Sequence, residues 1–180
     1  MYPTYSLTPC RETVEAHAEL AHADVMMFTA VCTILHEEMS LLSFINAALN
    51  VKSAHSSYQT CYAIVNNKRN WDSQLARMDL ESGSRMAVGA FDLMISFIPS
   101  KFAKLLEFVG FSGDRQFGLH ELMISESLTD GSRWPVSAFI LGGYNLFLEF
   151  AYGLAEPDLK LVQDVAHKMQ IKFPKVGWFT

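Results

Sequence analysis

No stretch of this sequence runs to the roughly 18 uncharged apolar residues that a membrane-crossing helix needs. The two most apolar runs are each interrupted by a carboxylate, Asp92 in one and Glu149 in the other. Positive charge is scarce as well: 14 Lys and Arg stand against 19 Asp and Glu, a formal charge of −5, which gives no electrostatic drive toward DNA or RNA. Its densest basic pairs, Lys68 with Arg69 and Lys101 with Lys104, read as solvated surface. Cysteine is limited to Cys10, Cys32 and Cys61, an odd set without CxxC spacing, so neither a disulfide framework nor a zinc ribbon is indicated. Two of the three fall inside apolar helical patterns, where a thiol behaves as a small hydrophobe, and a reducing, cytoplasmic setting fits. MYPTYSLTPC lacks the basic and apolar regions of a secretory signal, and residues 1–10 read as a disordered tail. Strand patterning is also missing, since apolar and polar residues do not alternate.

What is present is helical rhythm. Val14, Ala18, Ala21, Val25, Phe28, Cys32 and Leu35 recur in steps of four and three, which places them on one stripe of a first long helix. From Leu41 the series Phe44, Ala48, Val51, His55, Tyr58, Tyr62 and Val65 repeats those steps. The link near Glu37 to Ser40 is so short that the two helices must fold back as an antiparallel pair. Residues 66–84 lose the stripe and gain polar residues, the composition of a flexible surface connection. A third helix is expected from about Arg85, with Val88, Phe91, Ile95 and Ile98 in register, stopped by Pro99. Phe102, Leu105, Leu106 and Val109 make a short fourth. A fifth covers about Asp114 to Ser127, facing Leu119, Leu122 and Met123 inward. Pro135 opens a sixth that is apolar on nearly every face and so central. Pro157 opens a seventh, with Leu159, Val162, Ala166, Met169 and Phe173 as its stripe, ended by Pro174. Val176, Trp178 and Phe179 then begin an apolar element that the sequence does not complete. Half the residues are apolar, enough to bury one core, so 11–180 reads as a single domain.

Chemistry-bearing patterns are sparse. LLEFVGFSGDRQFGL, residues 105–119, has the composition of a ligand loop, yet it matches neither GxxxxGK[ST] nor GxGxxG and is flanked by helices. Gly110 fits a helix C-terminus, Phe111 the apolar residue that packs back on the last turn, and Ser112 the N-cap of the next helix. Glu12, Glu15, Glu19 and His22 share one face of the first helix, and Glu19-x-x-His22 has the form used by di-iron bundles. Such a site needs a second Glu-x-x-His on a facing helix, which the sequence does not contain. A solvated acidic face near a helix N-terminus, favoured by the dipole, is the simpler reading. His55 could be a ligand or a base, but a core histidine bonded to a neighbour is the commoner arrangement. No GxSxG or HExxH occurs.

GSRMAVGAFDLMISFIPSKFAKLLEFVGFSGDRQFGLHEL, residues 83–122, resembles the signature stretch of the tetratricopeptide repeat protein 39 family, which includes the fungal inclusion body clearance proteins. The helix pair from His17, the hydrophobic helix from Pro135 and the KFPKVGWF stretch extend the likeness over nearly the whole chain from about Glu12. The resemblance implies an all-α protein of antiparallel, tetratricopeptide-like helix pairs, truncated relative to family members, that binds protein partners and brings no catalytic residue, metal ligand or cofactor. It also implies that Gly110, Phe111, Gly113 and Gly118 are structural corners.

The sequence therefore leads to a non-catalytic helical-repeat interaction module. Two alternatives stay open: a metal-dependent helical-bundle oxidoreductase using Glu19 and His22, and a peripheral lipid-surface protein using the apolar helices around Lys101 and Lys104.

Overall fold

The computed structural model describes residues 9–35, 41–67, 70–71, 73–97, 111, 113–148 and 158–175, with the side chains of 9–12, 34, 35, 41, 44 and 148 left aside. Every regular element among them is a helix. Helix α1 spans Pro9–Leu35, α2 Leu41–Asn67, α3 Gln74–Ser96, α4 Arg115–Ser127, α5 Trp134–Gly143, which runs into a π-helical turn at Tyr144–Leu148, and α6 Leu159–Lys172. α1 packs along α2 and α3 along α4, while α1, α3 and α5 touch in succession. The helices thus stack as antiparallel pairs.

Three boundaries differ from the sequence reading. Helix α1 starts at Pro9, inside the expected tail, where proline's missing N–H is harmless. Helix α3 starts at Gln74, not near Arg85, so most of the expected connection 66–84 is helical. Ser73 in extended geometry caps it by accepting from the Ala76 N–H, a short local signal that the polar composition obscured. The cap of α4 is Asp114, which accepts from Gln116 and Phe117 at 2.9 and 3.1 Å. Ser112 and Gly110, assigned to that corner, lie outside the described residues, as do the expected helix 102–109, Lys101, Lys104, Trp178 and Phe179.

Burial corrects the stripes more sharply. On α1 the core face is Ala16, Leu20, Ala23 and Ala30, almost opposite the expected stripe. Val14, Val25 and Phe28 are 64%, 62% and 71% exposed, and Cys32 is exposed with them. The reason lies in two apolar faces on one helix: the small alanines admit α2 and α3 closely, and the larger side chains face away. On α2 the reading holds for Tyr58 and Val65, and on α3 for Val88 and Phe91. On α4 Leu122 is buried but Met123 is exposed. α5, expected to be central, shows Val136 and Phe139 to solvent, and of α6 only Val165 is buried.

The pairing of α3 with α4 rests on small residues. A Cβ on Gly118 would sit 2.8 Å from both the Gly89 oxygen and the Leu93 nitrogen, and one on Gly89 would sit 2.8 Å from the Gly118 oxygen. Gly118 is accordingly a contact inside α4, not a corner. Gly113 serves a similar end, since its Cβ would fall 2.5 Å from the Ser96 nitrogen at the end of α3. Above them Ser125 donates to the Ser82 carbonyl or shares a proton with Ser137, both at 2.7 Å and fully buried, so α3, α4 and α5 meet at hydroxyls whose polar atoms are satisfied.

Candidate functional site: a groove along α1, α3 and α5

The successive contact of α1, α3 and α5 leaves a groove of about 290 Å³ between them. Met27, Phe28 and Val31 of α1 form one wall, Met86 and Met94 of α3 the other, and Val136 of α5 closes one end. Tyr58, Ala87 and Phe91 lie at its base. α1 and α3 each contribute side chains one turn apart, so the groove follows from their packing.

A polar network anchors this face. Arg133, in the turn before α5, donates to Asp24 of α1, and the Tyr58 hydroxyl of α2 donates to the other Asp24 oxygen at 3.0 Å. Ser57 donates to Glu19 at 2.5 Å. His17 reaches the Ala76 carbonyl at 3.0 Å, and its other ring nitrogen lies 3.6 Å from Asp79. Asp79 in turn accepts from the Ser132 N–H at 2.8 Å. Burial alone would raise the Asp79 carboxyl, but the Ser132 bonds and the nearby His17 and Arg133 outweigh it and hold it below the ordinary carboxylate value. That turn passes Asp130 and needs Gly131, whose Cβ would strike Ser82 Oγ at 2.2 Å. On the other side of α3, Arg85 donates to Glu121 at 2.6 Å and to Glu81 at 2.9 Å, with its guanidinium 5.6 Å from the Tyr62 ring centre.

Three titratable groups of the core and its edge, Tyr58, Cys61 and His55, are held toward their neutral forms. Burial, helped by Asp24, pushes the Tyr58 hydroxyl well above its ordinary value. Cys61, fully buried with its thiol directed to the Ala16 carbonyl, is pushed up to about 11 by burial and the charges of Glu19 and Asp24. A thiol so shifted is a poor nucleophile. His55, half-buried with its ring 4.3 Å from that of Phe91 and 5.3 Å from that of Phe111, is lowered by burial. Phe111 lies against His55 of α2 and Phe91 of α3; the preceding helix on which it was expected to pack back lies outside the described residues.

Glu19 and His22 do not come together as a metal pair. Glu19 turns to Ser57, His22 is exposed, and among the described residues no three His, Cys, Asp or Glu side chains gather in metal-binding geometry. Nor is any described helix long and apolar enough to cross a membrane. The groove residues and the Asp24–Arg133 pair escaped the sequence reading. Nine methionines and thirteen phenylalanines are the composition of adaptable apolar surface, but composition does not locate it.

Stacked antiparallel helix pairs with one helix of each pair along a shared face define an all-α helical-repeat protein of the tetratricopeptide type. The chain belongs to the Iml2/Tetratricopeptide repeat protein 39 family, whose sequence model matches residues 5–180. It is 36% identical over 149 residues to tetratricopeptide repeat protein ttc-39B of Caenorhabditis elegans, a match covering 82% of this chain and 26% of that protein. Inclusion body clearance protein IML2 of Pyricularia oryzae is 34% identical over 88 residues, 44% of this chain and 11% of its own length. The chain thus aligns with about a quarter or less of the length of these relatives. No solved structure matches it significantly.

Proposed function

We propose that the chain is a non-catalytic interaction module that receives a protein partner in the groove along α1, α3 and α5. The observation that carries this reading is the groove's lining: three methionines with Phe28 and Val31, of which Phe28 is 71% exposed. Flexible thioethers adapt to varied apolar side chains, and an apolar patch held open on a rigid helical face is a common mark of a protein contact. The neutral Tyr58 and Cys61 fit a binding role better than a chemical one. A cytoplasmic location is part of the reading, supported by the thiol at Cys61. The net charge of −5 speaks against nucleic acid as the partner.

The test is quantitative cross-linking of cellular partners with Phe28→Glu combined with Met94→Glu, both at exposed positions, beside a control pair on the outer side of α2, Gln59→Glu with Thr60→Glu. Partners captured by the parent chain should fall about tenfold or more with the groove pair and persist with the control, at equal melting temperatures; each buried hot-spot contact is worth roughly 2 kcal/mol or more. An unchanged partner set with the groove pair removes the proposal.

A further inference from the structure

The groove along α1, α3 and α5 carries an oxidisable group on its open side. Among the described methionines, Met94 of α3 and Met123 of α4 are exposed, at 51% and 43%, while Met26, Met27, Met78, Met86 and Met169 are half-buried. Oxidants reach a thioether from solvent, so exposure ranks these residues by how fast they react. Met94 lines the groove across from Phe28 and Val31, and Met123 lies outside it. Met26 and Met27 pack on the cluster shared by α1, α2 and α3, Met86 on the one shared by α3, α4 and α5, and Met169 on the one beside α6, whereas Met94 joins none of these. A polar change at Met94 therefore alters the groove and leaves the described core clusters as they are.

What a sulfoxide at Met94 would meet follows from the polar groups already in the groove. Its described lining has two polar side chains, Asp24 and Tyr58. Asp24 accepts from Arg133, and the single O–H of Tyr58 is committed to Asp24 at 3.0 Å. The other lining side chains are methionine, phenylalanine, valine and alanine, which donate no hydrogen bond. The S=O oxygen is an acceptor that water satisfies while the groove is open. An apolar side chain laid over it displaces that water and supplies no donor, which costs the desolvation of a buried, unbonded group.

We propose that Met94 is a redox-modification site: its oxidation to the sulfoxide shuts the groove to apolar partners without unfolding the stack, an inference that rests on the groove being where a partner sits. The oxidant is a hydroperoxide. The sulfur lone pair attacks the terminal peroxide oxygen, an S–O bond forms as the O–O bond breaks, and the peroxide leaves as water or an alcohol, so the two electrons lost by sulfur are gained by the peroxide. Restoration falls to a methionine sulfoxide reductase that draws on a dithiol, returning the thioether with one disulfide and one water.

The test exposes the purified chain to hydrogen peroxide, removes the peroxide, and cross-links the chain to a desalted cell extract, free of the small thiols that would support reduction. Peptide-resolved mass spectrometry reads which methionines have gained one oxygen, and Met94 and Met123 should do so ahead of the half-buried ones. With Met94 oxidised, capture of the partner set that depends on the groove pair Phe28→Glu with Met94→Glu should fall about fivefold or more, as a buried acceptor is left unbonded, at an unchanged melting temperature. Met94→Leu, close in volume, should capture that set and keep it after peroxide, while Met123→Leu should lose it as the parent does. Met94→Gln, which puts a polar amide at the same place, should capture less with no oxidant present. Full capture by the oxidised parent overturns the proposal, as does equal loss in Met94→Leu or a Met94 that stays a thioether while half-buried methionines oxidise. A groove pair that leaves the partner set unchanged removes the groove reading and this inference with it, whereas a groove-dependent set indifferent to oxidation removes this inference alone.

Discussion

At the scale of single residues, the structure is held by polar groups taken out of water and matched there. Arg85 illustrates the balance: burial would lower its pKa, but the carboxylates of Glu121 and Glu81 raise it instead, so the cation is kept and joins α3 to α4. His55 goes the other way. Its ring lies between Phe91 and Phe111 without a paired carboxylate in the described contacts, and burial lowers its pKa from 6.5. The unfolded chain therefore binds a proton more readily than the folded one between that lowered value and 6.5, and stability falls as pH drops through that interval. His55→Gln should remove this component: thermal melts between pH 7.5 and 5 should lose less melting temperature in the variant than in the parent. The sequence brought His55 forward as a core histidine bonded to a neighbour; the structure has it half-buried and in ring contact with Phe91 and Phe111.

At the scale of elements, spacing between helices is set by what they lack. Gly89 and Gly118 let α3 and α4 approach until backbone meets backbone. Gly118→Ala should cost about 1–3 kcal/mol through overpacking, read as a lower midpoint in urea with an unchanged slope, because neither backbone can yield locally. The family resemblance implied a corner at Gly118, although the apolar spacing already placed it within the helix from about Asp114 to Ser127. Its partner, Gly89, is 29 residues away, and no local signal reports a contact across two helices. The cap of α4 teaches the same at short range: Ser112 and Asp114 are both good N-cap residues, and the backbone bonds go to Asp114.

At the scale of the whole molecule, the repeat architecture makes each pair depend on its neighbours. The Asp24–Arg133 pair is the exception, since it joins α1 to the turn before α5 across 109 residues, with Tyr58 of α2 on the same carboxylate. Arg133→Ala would leave Asp24 half-buried with one fewer partner, and amide hydrogen exchange in α1 and α2 should quicken severalfold while α4 keeps its protection. Equal loss of protection in all helices would mean that the stack unfolds as one unit, without the separate opening of the first pair that this pair of residues restrains.

Helix identity and the antiparallel first pair were decided by the sequence, because a rhythm of three and four is a property of consecutive residues and survives in any context; the family likeness rested on the particular residues of 83–122 and their flanks. Which face of α1 is buried was decided only when α2 and α3 were in place. A helix with alanines on one side and valines with phenylalanine on the other offers two apolar seams; periodicity weighs them by size, whereas packing chose the side on which backbones can come close. The groove and the carboxylate bridges arise for the same reason, as products of distances between residues that the chain itself keeps far apart.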